Sequence, residues 1–212
     1  MTLREIIDEV QLIVQDNSFF ESDDAIISRV NEAVLWACSQ PGVEIPSLKQ
    51  MGQFTTTTEP YAEIAGVTTS FTGRVLRAGK PGTKLYHGIE DLYDDFYPLD
   101  KVGPVEAVCV QRNMVWYQGI PAEPEVVLCI LQGDPPRLED DDDVPVVIPE
   151  FLQRQLVVHG VVAELYSMIE DGVDGQKVNT VDSRFQRDSG LQRFKEWLGS
   201  RRQHVKTSHW KH

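Results

Sequence analysis

Asp140 to Asp143 is the densest set of metal-competent side chains in the sequence. Clustered carboxylates hold hard cations only when their spacing makes them converge, usually around a glycine that turns the chain. Consecutive aspartates point in alternating directions, so this run reads as a solvated spacer. Glu170-Asp171-Gly172-Val173-Asp174-Gly175 departs from the calcium-loop pattern at its alternating positions and lacks the closing glutamate. His87, His159, His204, His209 and His212 form no His-Glu-x-x-His pair, and Cys38, Cys109 and Cys129 form no Cys-x-x-Cys pair, which argues against zinc. His159 reads as a residue that hydrogen-bonds between helices, and the tail histidines could bind a metal only adventitiously.

Nucleophile and phosphate motifs are missing as well. No serine stands in Gly-x-Ser-x-Gly, and no glycine-rich loop ends in Gly-Lys-Ser or Gly-Lys-Thr. Gly79-Lys80-Pro81-Gly82-Thr83-Lys84 has the composition of a phosphate loop, but it follows no buried parallel strand and opens no helix, so it reads as a turn. Trp116-Tyr117 could stack a sugar or a base, although a sheet core or a subunit contact explains the pair more simply. The residues therefore point to no catalytic group, no metal and no cofactor, and the chain does not read as an enzyme.

Charge narrows the partners. The 212 residues carry a formal charge of −13, spread unevenly. Residues 1–50 hold nine acids and three bases, residues 51–147 sixteen and seven, and residues 148–212 eight and ten. From Arg193 onward six bases stand against Glu196 alone. An acidic body disfavours general nucleic-acid binding, whereas a basic tail permits a local contact with an acidic partner. Met1 to Val14 carries acids inside an amphipathic pattern, unlike a secretory signal. The cysteines sit in apolar runs and read as buried thiols of a reducing cytoplasm.

The elements that must position these residues are organised around Leu138 to Asp171, where the acidic loop gives way to the longest apolar run. Proline at the first helical position and Glu150 beside the positive end of the dipole start a helix at Ile148-Pro149-Glu150. Continued from Pro149 to Asp171, it would span roughly 35 Å at 1.5 Å per residue. Apolar over most of its circumference, it must be covered from several sides. Arg154, His159 and Glu164 interrupt the run and argue against a membrane span. Gly172 and Asp174-Gly175 are expected to end it.

Thr2 to Gln15 has helical apolar spacing, Asp16-Asn17-Ser18 breaks it, and Ser22 caps a second helix that stops at Pro41-Gly42. Past Gln50 the pattern alternates: Gln53 to Thr58, Val67 to Phe71, Val105 to Gln111, Met114 to Tyr117 and Val126 to Leu131 read as strands, with Arg112-Asn113 a hairpin turn. Glu90 to Leu99 is a short helix or a loop. Val181, Phe185, Leu191, Phe194, Trp197 and Leu198 give a final amphipathic helix from about Asn179 to Gly199, weakened by Gly190. The expected fold is α+β. A helical bundle of two N-terminal helices, the long central helix and a C-terminal helix (residues 1–50 and 148–200) is interrupted by an inserted antiparallel β-sandwich or small barrel (residues 51–147), and a basic tail follows at 201–212.

The order of signals from Val105 to Tyr166 carries a resemblance. A strand pair with Met114-Val115-Trp116-Tyr117 is followed by Val126-Val127-Leu128-Cys129-Ile130-Leu131, a Pro135-Pro136 step, the acidic spacer and Ile148-Pro149-Glu150 entering the long helix. Together with the two N-terminal helices, the second containing Asn31-Glu32-Ala33, this resembles the head-to-tail adaptor (connector) proteins of tailed bacteriophages. The resemblance implies a homo-oligomeric ring, a dodecamer, beneath the portal protein. It would join tail or nozzle proteins at the capsid–tail junction and let DNA through without sequence-specific binding. The protein would be made in the host bacterial cytoplasm and would need no cofactor and no membrane. A C-terminal segment that reaches the portal would here be the basic tail, with Arg201, Arg202, Lys206, Trp210 and Lys211 as docking residues. Another reading makes the β domain a binding module for a carbohydrate or a host protein, which Trp116 and Tyr117 exposed together would favour. A hydrolase with unfamiliar motifs stands third.

Overall fold

Leu3, Ile6, Ile7, Val10 and Val14 recur at the spacing that places side chains on one helix face, and all are buried along the first helix. The computed structural model describes residues 1–14, 23–66, 74–111, 113–170 and 178–207. In chain order the elements are α1 (Leu3–Val14), α2 (Asp23–Ser39), a 3-10 turn (Pro46–Leu48), β1 (Lys49–Thr55), β2 (Tyr61–Glu63), β3 (Arg74–Ala78), β4 (Lys84–Tyr86), α3 (Ile89–Phe96), β5 (Ala107–Gln111), β6 (Met114–Gln118), β7 (Val126–Gln132), α4 (Glu150–Gln153), a π-helical turn (Arg154–Val158), α5 (His159–Ile169) and α6 (Val178–Thr207). They form two compact units, Met1–Val43 with Pro135–His212, and Glu44–Asp134.

In the first unit α4, the π turn and α5 follow one another as a single helical rod. Leu152, Leu156, Val157, Val158, Val161, Val162 and Leu165 are buried along it. Three consecutive buried residues in the π turn cover more than half the circumference, which needs neighbours on several sides; α1, α2 and α6 all touch this turn. Two glycines permit the close approach. A Cβ on Gly160 would stand 3.2 Å from Ala33 Cβ of α2, and one on Gly190 of α6 would stand 2.8 Å from Gln155 Cβ. Pro149 is the N-cap, one position earlier than expected, and its carbonyl accepts the Leu152 N–H at 2.8 Å.

In the second unit β1, β7 and β3 form one sheet in that order, and β2, β6, β5 and β4 form another. Their shared core includes Phe54, Val108, Val115, Tyr117, Val127 and Leu131. Phe54 stacks on Tyr117 with ring centroids 5.3 Å apart. The buried Tyr117 hydroxyl is satisfied by donating to the Glu59 carbonyl at 2.7 Å and accepting the Thr57 N–H at 2.7 Å. A second cluster, Leu92, Leu99, Ala107 and Cys109, packs with Tyr86, Phe96 and Trp116. Gly119, at φ +91°, lets the chain pass against Pro104, whose carbonyl oxygen would lie 2.0 Å from any added Cβ.

The architecture expected from the sequence, a helical bundle interrupted by an antiparallel sandwich or small barrel, is corrected on three counts. Among the described residues the strands make two small sheets and no closed barrel. Nor is the pairing all antiparallel: β4 runs parallel to β5, because the connection between them passes through α3 and has the length a parallel crossover needs. The central helix runs through a π turn instead of being α-helical throughout, and α6 runs on to Thr207, so that among the described residues the longest helix is the last. The Asp16-Asn17-Ser18 break, the Ser22 cap, the Val67 to Phe71 strand, Arg112 of the hairpin turn and the terminators Gly172, Asp174 and Gly175 lie outside the described residues.

Candidate interaction surfaces

The acidic run is structural. Its backbone caps α1: the Leu3 N–H donates to the Asp143 carbonyl at 2.7 Å and the Arg4 N–H to the Asp141 carbonyl at 3.1 Å. The Asp143 carboxylate accepts the N–H groups of Glu139 and Asp140 at 2.7 and 3.0 Å, which hold it below the usual carboxylate range. Thr2 and Glu5 add a reciprocal capping box, with Thr2 N–H to Glu5 Oε2 at 2.9 Å and Glu5 N–H to Thr2 Oγ1 at 3.2 Å. The Thr-x-x-Glu pattern was legible in the sequence; the contribution of Asp141 and Asp143, more than a hundred residues away, was not.

Glu170 plays the same part for α6. Its carboxylate accepts the N–H groups of Asn179 and Thr180, both at 3.2 Å, and the Thr180 hydroxyl, and this last bond does most to lower its pKa. His159 is half-buried, and among the described residues its Nδ1 has no hydrogen-bond partner. Desolvation first, and then Arg154, push the imidazole below its usual pKa. It is therefore a neutral packing residue at its Nδ1 face, not the interhelical bridge expected there. Cys38, Cys109 and Cys129 are free and buried, and burial pushes the Cys129 thiol up to about 11, so it stays protonated and unreactive.

Tyr117 is buried while Trp116 is half-buried against Tyr61, with ring centroids 5.0 Å apart. The two rings are not exposed together, so they do not form a stacking platform. Gly79 to Lys84 is a turn closed by Thr83, whose N–H and hydroxyl both donate to the Lys80 carbonyl. Beside it a depression of about 180 Å³ is lined by Lys80, Val105, Glu125 and Val126 to Leu128. Lys80 and Glu125 pair there at 3.5 Å. Among the described residues no group of three or more His, Cys, Asp or Glu is placed to hold a metal, and no helix is long and apolar enough to cross a membrane.

Among the described residues the structure leaves apolar faces uncovered on β7 and on α6, and exposed apolar side chains also stand at Tyr93, Tyr97 and Val102 and at Val144, Val146 and Phe151. On β7, Val126, Leu128 and Ile130 alternate outward, and Met51 of β1 stands opposite Ile130. Met51 is 67% exposed and Leu128 56%. The second face lies on α6. Val181 and Phe185, expected to be core, are 63% and 68% exposed, while Thr180 and Ser183 are buried. The first half of α6 therefore turns small polar residues inward and apolar ones outward; further along, Phe194 and Leu198 restore the ordinary arrangement.

Residues 1–205 match the SU10 adaptor protein family. The chain belongs to that family. As an SU10 adaptor protein it is a structural component of a bacteriophage virion, in a family of adaptors and not of enzymes. An SU10 adaptor works by contact with other virion components, so its surfaces are the parts to consider. No curated protein matches the chain. Of the tail residues singled out in this SU10 adaptor, Arg201, Arg202 and Lys206 lie on the helical backbone of α6, and Trp210 and Lys211 lie outside the described residues.

Proposed function

We propose that this adaptor assembles as a ring, of twelve copies, at the capsid–tail junction, between the portal protein and the tail or nozzle proteins, and that DNA passes through it. The observation that carries the reading is the family match over residues 1–205, which spans both compact units and leaves no separate module to explain. The charge of −13 supports a conduit, since a surface that releases DNA must not neutralise its phosphates. Arg201, Arg202, Lys206, Trp210 and Lys211 are the portal-docking residues in this reading. A lone indole among bases buries a large area on finding a pocket, and the bases pair with surrounding acids. In this reading the protein is made in the host bacterial cytoplasm. With Tyr117 buried, no observation favours the carbohydrate- or host-protein-binding alternative.

Native mass spectrometry with and without the portal protein of the same phage tests this. A cyclic oligomer, formed alone or on the portal, is the expected result. A chain that stays monomeric in both conditions overturns the reading.

A further inference from the structure

We infer that the ring is closed by the outward face of α6 on one copy seating against the outer face of the β1-β7-β3 sheet on the next. The inference rests on the ring reading and names its joint. A closed ring is heterologous: each copy must offer two different surfaces, each complementary to the other. Among the described residues, the outer face of β7 and the outward stripe of α6 are uncovered and apolar, one in each compact unit.

The faces match in size. On α6, Val178, Val181 and Phe185 lie on one side, directly opposite the buried Thr180, Ser183, Gly190 and Phe194; Asp182 and Arg184 flank the stripe, and Asp188 beside it is engaged by Arg187 at 2.9 Å. Val178 to Phe185 covers roughly 10 Å of helix. On the sheet, Val126, Leu128 and Ile130 cover roughly 13 Å of strand. Lys49, opposite Gln132, and Arg77, opposite Ile130, flank them. Lys49 is engaged by Glu44 at 3.0 Å, but among the described residues Arg77 and Asp182 each have no ion-pair partner. The two apolar centres seat together, and the Asp182 carboxylate of one copy is then available to the Arg77 guanidinium of the next. Either face against itself would leave Asp182 or Arg77 without an opposite charge across the joint.

The inward polar face of α6 explains why the apolar one cannot simply turn in. Thr180 is held by Glu170 at the start of the helix, and Gly190 is fitted against Gln155 and Leu156, so the rotation of α6 about its axis is fixed at both places. Val181 and Phe185 are left outside by that fit, and a neighbouring copy covers them.

The test uses the full chain carrying Phe185→Asp or Leu128→Asp, each with and without portal protein, read by native mass spectrometry. Both positions are exposed, so circular dichroism and thermal unfolding of each variant should match the wild type. Each variant alone should stay monomeric. An equimolar mixture retains one intact joint per pair and should give a 1:1 dimer and nothing larger. Asp182→Lys and Arg77→Glu should each weaken assembly, and together restore it. Variants that assemble like the wild type overturn this joint and leave the ring standing, as does a mixture that stays monomeric. Variant rings that form normally but fail to join the portal assign the face to another protein, which also overturns it. A wild type that never assembles removes the ring reading itself.

Discussion

Asn31 on α2 grips the backbone of Leu138 from both sides, its Nδ2 donating to the Leu138 carbonyl at 2.9 Å and its Oδ1 accepting the Leu138 N–H at 2.8 Å. The same Nδ2 also reaches the Ile27 carbonyl at 3.0 Å. A side-chain amide here does what a neighbouring strand would do, pinning the return of the chain from the second unit onto α2. Asn31→Ala leaves two backbone groups of a buried residue unpaired and should cost about 2 kcal/mol or more, read from the urea midpoint. Asn31→Asp keeps the acceptor but sets an anionic oxygen against the Leu138 carbonyl, and should be no more stable than the alanine variant.

Two glycines in one helix should respond in opposite directions. Gly190→Ala gains helix propensity, but its Cβ meets Gln155 Cβ at 2.8 Å, closer than real side chains approach, so thermal stability should fall. Gly199→Ala meets nothing within 4 Å and should gain up to about 1 kcal/mol. Equal responses at the two sites would show that α6 does not lie against the π turn as described.

His159 sets a pH dependence. Its folded pKa is depressed by burial and by Arg154, against weaker opposing effects of Asp182 and Glu9, so the unfolded chain binds the proton more readily. Stability is then fully present above the ordinary histidine value of about 6.5 and declines as pH falls below it. Thermal midpoints measured from neutral pH downward should slope accordingly in the wild type and flatten in His159→Gln.

A separate loss belongs to Glu170, whose folded pKa is lowered chiefly by Thr180. Its contribution is present above the ordinary carboxylate value of about 4.3 and is lost as pH falls further, through the folded pKa. Glu170→Gln should lower the midpoint at neutral pH and remove that acid-limb dependence, which a pH series on the two proteins resolves from the histidine effect.

Removing residues 201–212 should leave the thermal midpoint nearly unchanged while lowering attachment to portal-containing heads. The intact chain should show no measurable affinity for duplex DNA at physiological salt. Salt-sensitive binding that survives the truncation would count against the conduit.

The amino-acid sequence by itself determined the parts whose signal is local. The spacing of Leu3, Ile6, Ile7 and Val10 sets α1, the alternation in Val126 to Leu131 sets β7, and the long, mostly apolar stretch from Leu152 to Leu165 marks a helix that must be covered, since each pattern repeats within a few residues. The order of these elements was also enough to place the chain among phage adaptors. Tertiary structure decided what depends on distant partners. Asp141 and Asp143 look like part of a solvated spacer until α1 brings its free amides to their backbone carbonyls. Gly190 looks like a weak point until Gln155 needs the space. Val181 and Phe185 look like core until Glu170 and that same close contact fix which way α6 faces. Periodicity tells that a helix has an apolar side, but only the packing of its neighbours decides whether that side is turned inward or left for another molecule.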